Sequence, residues 1–275
     1  MRFDFTPEEA QSAARVAVKR LRARGMRVKP ELPLEETAPF RTTLLGTKGN
    51  LKVLIEAQGR LEYHRELKDL AIWLAARRFN AELVVITSDK STPELGTLQE
   101  MKRDGVGLLV IDNNKRVTEH IAPTNAALIV TPDPSLRYGD CAAEVECAVR
   151  KFNEVNRKDG FRDLCEIAER ETKKVALVAV KKGVVTLSKT QVESMKWNNH
   201  IDALHSANNS AAGKSPVFTP QFATDLHSFR DARNLVDHPV ESRAKEAKRQ
   251  RLYADKMMQG PRLIAELVSI RRKIR

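Results

Sequence analysis

The chain has little that would commit it to a disulfide-stapled, metal-built or membrane-embedded fold. Its three cysteines, Cys141, Cys147 and Cys165, are an odd number, with no C-x-x-C pair and no histidines at zinc-finger spacing. That excludes a disulfide framework and a structural zinc site as organising features, and leaves three small buried hydrophobes as the expectation. No apolar run approaches the ~20 residues of a membrane span, and the opening "MRFDFTPEEAQ" lacks the apolar core of a signal peptide. A soluble cytoplasmic protein with no membrane association is expected. There is no G-x-G-x-x-G after a strand and no G-x-x-x-x-G-K-[ST], which argues against dinucleotide and P-loop nucleotide binding. No cofactor and no metal are expected.

Acidic residues are also in short supply, and unevenly so. The 48 Lys and Arg outnumber the 36 Asp and Glu to give a formal charge of +12. Through Asp140 there are 22 basic against 19 acidic residues, and beyond it 26 against 17. The second half therefore carries most of the positive field, which favours polyanionic partners, nucleic acid foremost. With 41% of its residues hydrophobic, the chain can bury a sizeable core, and 275 residues suffice for two domains.

Periodicity divides the chain. "TPEEAQSAARVAVKRLRARG" reads as a helix with Thr6 as N-cap, Pro7 at the first helical position and Gly25 as terminator. A charged, proline-bearing segment follows, then "FRTTLLGTKGNLKVLIEAQGR" reads as two strands joined at "KGN". A helix at "EYHRELKDLAIWLAARRF", with His64 on its solvent side, precedes the strand "AELVVIT". Another helix ending at Gly105 precedes the strand "VGLLVID", and "AALIV" at 126–130 suits a further strand. Strand and helix alternating at these spacings predicts an α/β domain over 1–140, a helix-flanked sheet.

From Cys141 to Arg275 an all-α domain is expected. Its helices are placed at about 141–157 and 160–182, over "TLSKTQVESMKWNNHIDALHS" and "TPQFATDLHSFRDARNLVDH", and from about 241 with a break at Gly260 and Pro261. Phe222, Leu226, Phe229, Ala232, Leu235 and Val236 mark the buried side of the fourth. His200 and His205, five apart, share no helical stripe, and His227 either lines the groove near Arg233 or packs.

Within that fourth helix, "RNLVDHP" joins an arginine, an asparagine and a histidine. Asn234 and His238 are four apart and share a helical face. Pro239 disfavours helical dihedrals for His238, placing it at the helix end, where the dipole favours an imidazolium. A histidine that titrates near neutral pH can exchange a proton in catalysis, and a permanently charged arginine suits a phosphate. Together they could cleave RNA by attack of the 2′-hydroxyl on the adjacent phosphate. An ordinary helix end, with His238 on free carbonyls and Arg233 paired to Asp231 or Asp237, accounts for the same residues.

"FRDARNLVDHP" on a basic helical domain resembles the R-x4-6-H signature of the HEPN superfamily, with Arg233, Asn234 and His238 at the matching positions. The resemblance covers residues 141–275. It implies a HEPN-like helical bundle, a metal-independent endoribonuclease of the toxin or antiviral-defence kind, and an active site formed across a homodimer. An antitoxin or activating partner is implied in the same way. Arg230, Arg243, Lys245, Lys248 and Arg249 are the expected RNA-binding residues, on the site helix and on the run after it, where eleven basic residues stand against four acidic ones from Glu241 on.

In the first half, "KVLIEAQGR" places Glu56, Ala57 and Gln58 at a strand end. The succession of elements resembles the restriction-endonuclease-like fold, whose E-x-K strand and a preceding aspartate hold magnesium. Here Gln58 replaces the lysine, "FRTTLLGT" contains no acidic residue, and Glu35 and Glu36 precede the strand, so a degenerate domain is expected. A catalytically inactive nucleic-acid-binding or regulatory protein, and a metal-dependent DNA nuclease working through Glu56, are the alternative functions.

Overall fold

The computed structural model describes residues 2–4, 6–88, 94–112, 114–131, 133–236 and 242–274, with the side chains of Arg243, Ala244 and Ala247 also outside the described set. Contacts between Cα atoms divide the chain into two compact units, 1–129 and 130–275.

The first unit is built on a six-stranded mixed sheet. Its strands are β1 (Arg27–Pro30), β2 (Leu44–Lys48), β3 (Leu51–Gln58), β4 (Ala81–Thr87), β5 (Gly107–Ile111) and β6 (Val117–Ile121), hydrogen-bonded in that order. β3, β4 and β5 run parallel, whereas β1, β2 and β3 form an antiparallel meander and β6 closes the far edge antiparallel to β5. The helices are α1 (Glu8–Ala23), α2 (Arg65–Ala76) and α3 (Leu95–Arg103). Because strand side chains alternate between faces, Val53, Ile55, Val84 and Ile86 pack with Ala10, Ala13, Ala14 and Ala17 of α1. Leu54, Leu83 and Val85 pack on the other face with Leu67, Leu70 and Leu74 of α2 and Met101 of α3.

Several expectations for this unit are corrected. Pro7, not Thr6, is the N-cap of α1; the Thr6 hydroxyl instead donates to Glu31 Oε1 at 2.6 Å. "AALIV" is no strand: Ala126–Leu128 form a 3-10 turn in which the Asn125 side chain accepts from the Ala127 N–H. The last strand is β6, whose largely exposed "VTEHI" lacks an apolar signature. β1 lies at the opposite edge, where Pro30 costs no ladder bond that a central strand would need. His64 stands before α2 as its N-cap residue, packed edge-on against Phe40.

The second unit is helical: α4 (Ala142–Glu154), α5 (Arg157–Lys181), α6 (Lys189–Ser194), α7 (Trp197–His205), α8 (Pro220–Asn234) and α9 (Arg243–Lys273). The α5 helix lies at its centre and touches each of the other five. Phe161 of α5 stacks on Tyr253 of α9 and meets Phe229 of α8 edge-on, while Trp197 meets Phe229 from α7. Segment 130–140, placed with the sheet on composition, joins the helical unit: Val130 donates its N–H to Asn153 of α4 and accepts from it.

Four further expectations fail here. The stretch 189–205 is two helices, broken where Met195 adopts an extended conformation (ψ 148). The α9 helix runs through Pro261 without a break. Its neighbours Met257, Ile264 and Leu267 are buried, and tertiary packing of that kind outweighs one lost backbone bond. Leu235 is 41% exposed, and of the cysteines only Cys141 and Cys165 are buried. No helix among the described residues is long and apolar enough to cross a membrane.

Candidate functional site

The α8 helix begins with the Thr219 hydroxyl accepting from the Phe222 N–H and with Pro220 at its first position. Phe222, Leu226, Phe229 and Ala232 are buried, which turns His227, Arg230, Arg233 and Asn234, at helical spacing, to another face. On that face His227 pairs with Asp202 of α7 at 2.9 Å. Arg233 Nη1 donates to Glu169 of α5 at 2.5 Å, and not to Asp231, which instead takes two bonds from Arg230.

The helix stops at Asn234. The N–H groups of Leu235 and Val236 reach back three residues, to Ala232 and Arg233, tightening the last turn. The buried Tyr253 hydroxyl, from α9, donates to the Leu235 carbonyl at 3.1 Å. The α8 helix thus ends at Asn234, and the face expected to join Asn234 to His238 extends outside the described residues. His238 itself, with Asp237 and Pro239, lies outside the described residues.

Arg230, Arg233 and Asn234 line an open cavity of about 600 Å³. It is lined as well by Met195, Lys196, Trp197 and Asn198 at the start of α7 and by Glu169 of α5. The start of α7 is fixed by buried bonds: Trp197 Nε1 donates to Thr172 Oγ1 at 3.2 Å, and His200 Nε2 bonds the Val192 carbonyl at 2.7 Å. His200 is thus a satisfied structural residue at that nitrogen. Cys165, on α5 four residues before Glu169, is buried and its thiol is pushed well up by desolvation, the opposite of a reactive cysteine.

The basic residues expected to act together are separated into two places. Lys245, Lys248 and Arg249 line a second cavity, of about 430 Å³, with Arg251, Asp255 and the apolar Leu235 and Leu252. Arg230 belongs to the Arg233 cavity instead, and the Arg243 side chain is outside the described set. Glu169, Lys196, Trp197 and Asn198 were missed from sequence. The cluster "KWNN", a cation, an indole and two amides at a helix start, was the legible signal; Glu169 had none, being one of several acidic residues on α5.

In the sheet unit, Glu56 Oε2 accepts from the Thr43 N–H at 2.9 Å and from its hydroxyl at 3.1 Å, and Thr43 Oγ1 in turn accepts from the Ala57 N–H. Burial raises the Glu56 pKa from its ordinary value against the lowering pull of the Thr43 bonds. The Gln58 amide is clamped on Glu62, donating to its carbonyl at 2.8 Å and accepting from its N–H at 2.9 Å. Both groups are engaged in holding β3 to β2 and to the loop that follows. Glu35 pairs with Arg77. Among the described residues no group of three or more His, Cys, Asp or Glu is placed to hold a metal ion.

No protein-family model, curated protein or solved structure matches this chain.

Proposed function

We propose that the helical unit is a HEPN-type endoribonuclease that cuts RNA without a metal, acting as a homodimer, with Arg233, Asn234 and His238 as its catalytic residues. The observation that carries the reading is the cavity in which Arg233 and Asn234 meet Lys196 and Arg230. Cationic forks and amides converging on a concave site suit a phosphodiester and the charge it gains on attack. In the proposed step the 2′-oxygen bonds to phosphorus and the bond from phosphorus to the 5′-oxygen breaks. The 2′-hydroxyl proton is lost to a base and the 5′-oxygen gains one, with His238 in one of these roles. Arg233, held by Glu169, faces the phosphoryl oxygens.

For the sheet unit we infer a restriction-endonuclease-like arrangement that has lost its metal chemistry. The succession α1, antiparallel β1 to β3, α2 and parallel β4 supports the arrangement. The single carboxylate Glu56, occupied by Thr43, and the clamped Gln58 support the loss.

The test is incubation of the full chain with structured and unstructured RNA in EDTA. Cleavage is expected to survive chelation and to fall by about 10²-fold or more in both Arg233→Ala and His238→Ala. Cleavage that ends on chelation and responds to Glu56→Ala, or that ignores both helical-unit substitutions, overturns the reading. A folded dimer that binds RNA and leaves every strand intact replaces it with a binding role.

A further inference from the structure

The Arg233 cavity contains more recognition chemistry than a cleavage step needs. Lys196, Arg230 and Arg233 supply three cationic groups around one concavity, and Glu169 is the one carboxylate among its described lining residues. Arg233 is paired with Glu169 and Arg230 with Asp231, so with both pairs formed the balance is still positive, through Lys196. Beside the cations stand the amides of Asn198 and Asn234, which carry both donors and acceptors. A volume of about 600 Å³ lies within the range of pockets that enclose a small organic ligand.

The shape selects among polyanions. Duplex nucleic acid is read by an element that protrudes into a groove, and bases in an A-form helix stay stacked and out of reach of a pocket. An unpaired nucleotide, splayed out of its strand, offers a phosphate to cations and a base edge to amides within one concavity. The segment that would meet it is preorganised, because the Trp197–Thr172 bond anchors the residue between Lys196 and Asn198 and the His200–Val192 bond ties the chain together on either side of them, and a fixed site loses less entropy on binding.

We propose that this cavity binds one unpaired ribonucleotide, its phosphate among Lys196, Arg230 and Arg233 and its base against the amide of Asn198. The proposal deepens the ribonuclease reading and rests on it for the nature of the strand; the site itself takes a free mononucleotide.

The experiment is calorimetric titration of the full chain with the four nucleoside 5′-monophosphates and with inorganic phosphate. Lys196 is exposed and Asn198 half-buried, so both can be truncated without opening the core. Saturable binding is expected, with Lys196→Ala weakening nucleotides and phosphate alike by about tenfold, the loss of one charge-assisted bond. Asn198→Ala is expected to level the preference among bases and leave inorganic phosphate unchanged. Absence of saturable binding by every mononucleotide, or binding indifferent to both substitutions, overturns the proposal. RNA cleavage that depends on Arg233 and His238 without any mononucleotide binding keeps the ribonuclease and removes this site. Mononucleotide binding as described, with no RNA cut, keeps the site and removes the ribonuclease.

Discussion

Replacing Gly160 by alanine tests how the helical unit is packed around α5. Gly160 lies in the first turns of α5, where a Cβ would stand 2.4 Å from the Phe152 nitrogen, 2.6 Å from the Phe152 Cα and 2.7 Å from the Ala148 carbonyl oxygen. All three are backbone atoms of α4, so no rotamer change relieves the overlap, and α4 must retreat by roughly 1 Å. Its buried face, Val145, Ala148, Val149 and Phe152, retreats with it. A gap of that size forfeits about a quarter to a half of each van der Waals contact, which puts the overpacking cost near the top of its usual range, about 3 kcal/mol. Alanine is better than glycine in a helix by about 1 kcal/mol. The expected net loss is about 2 kcal/mol. The chain has two tryptophans, Trp73 in α2 and Trp197 in α7, so urea unfolding in a Trp73→Phe background reports the helical unit through Trp197 alone. Gly96→Ala in α3, where a Cβ meets nothing within 4 Å, is the control, read through Trp73 in a Trp197→Phe background, and is expected to be neutral or stabilising. An unfolding midpoint in Gly160→Ala at or above that of its parent would refute the packing argument.

Two other outcomes follow from buried charge. Glu56 has a raised pKa because of burial, so the folded sheet unit holds that proton more tightly than the unfolded chain. Its contribution is fully favourable below the ordinary value of 4.5 and is lost as pH rises through the raised folded value. Glu56→Gln is therefore expected to compare better with the parent at pH 7 than at pH 4 in thermal melts, and a difference that does not change with pH contradicts the burial argument. Glu171 is fully buried, bonded to Lys174 at 2.7 Å, with Arg271 Nη1 3.3 Å away, within ion-pair range but not aligned as a hydrogen bond. Arg271 also bonds Asp140 at 2.7 Å, and that bond with the Lys174 bond holds the Asp140 carboxyl well below the usual range. Arg271→Ala removes one of two cations from a buried carboxylate and is expected to cost about 3 kcal/mol in urea unfolding; a loss under about 0.5 kcal/mol, the level of a surface pair, shows that Lys174 alone suffices.

Much of the fold was legible because its signals are local. The alanine stripe of α1, the apolar runs of β4 and β5 and the turn at Gly49, with φ +56, each declare themselves within a dozen residues. β1 and β6 did not, because edge strands carry charge and polarity on their open sides. Whether α9 would break at Pro261 was likewise not a local matter: Gly260 sits where a Cβ would fall 2.5 Å from Leu164 and 2.8 Å from Phe229, a helix–helix approach that holds the helix through its proline.

By itself the sequence determined that a sheet-bearing half precedes a basic helical half, and it singled out Arg233 and Asn234, because periodicity and charge are properties of neighbouring residues. Only the tertiary structure decided what those two residues face. Glu169 lies 64 positions before Arg233, and Lys196 and Asn198 reach the same cavity from the start of another helix. Their meeting depends on how α5, α7 and α8 pack around Phe161, Phe229 and Trp197. Glu56 is divided between the two: its engagement with Thr43 follows from the β2–β3 register, which the turn at Gly49 sets within one stretch of sequence, whereas the burial that raises its pKa comes from the packing around the strand.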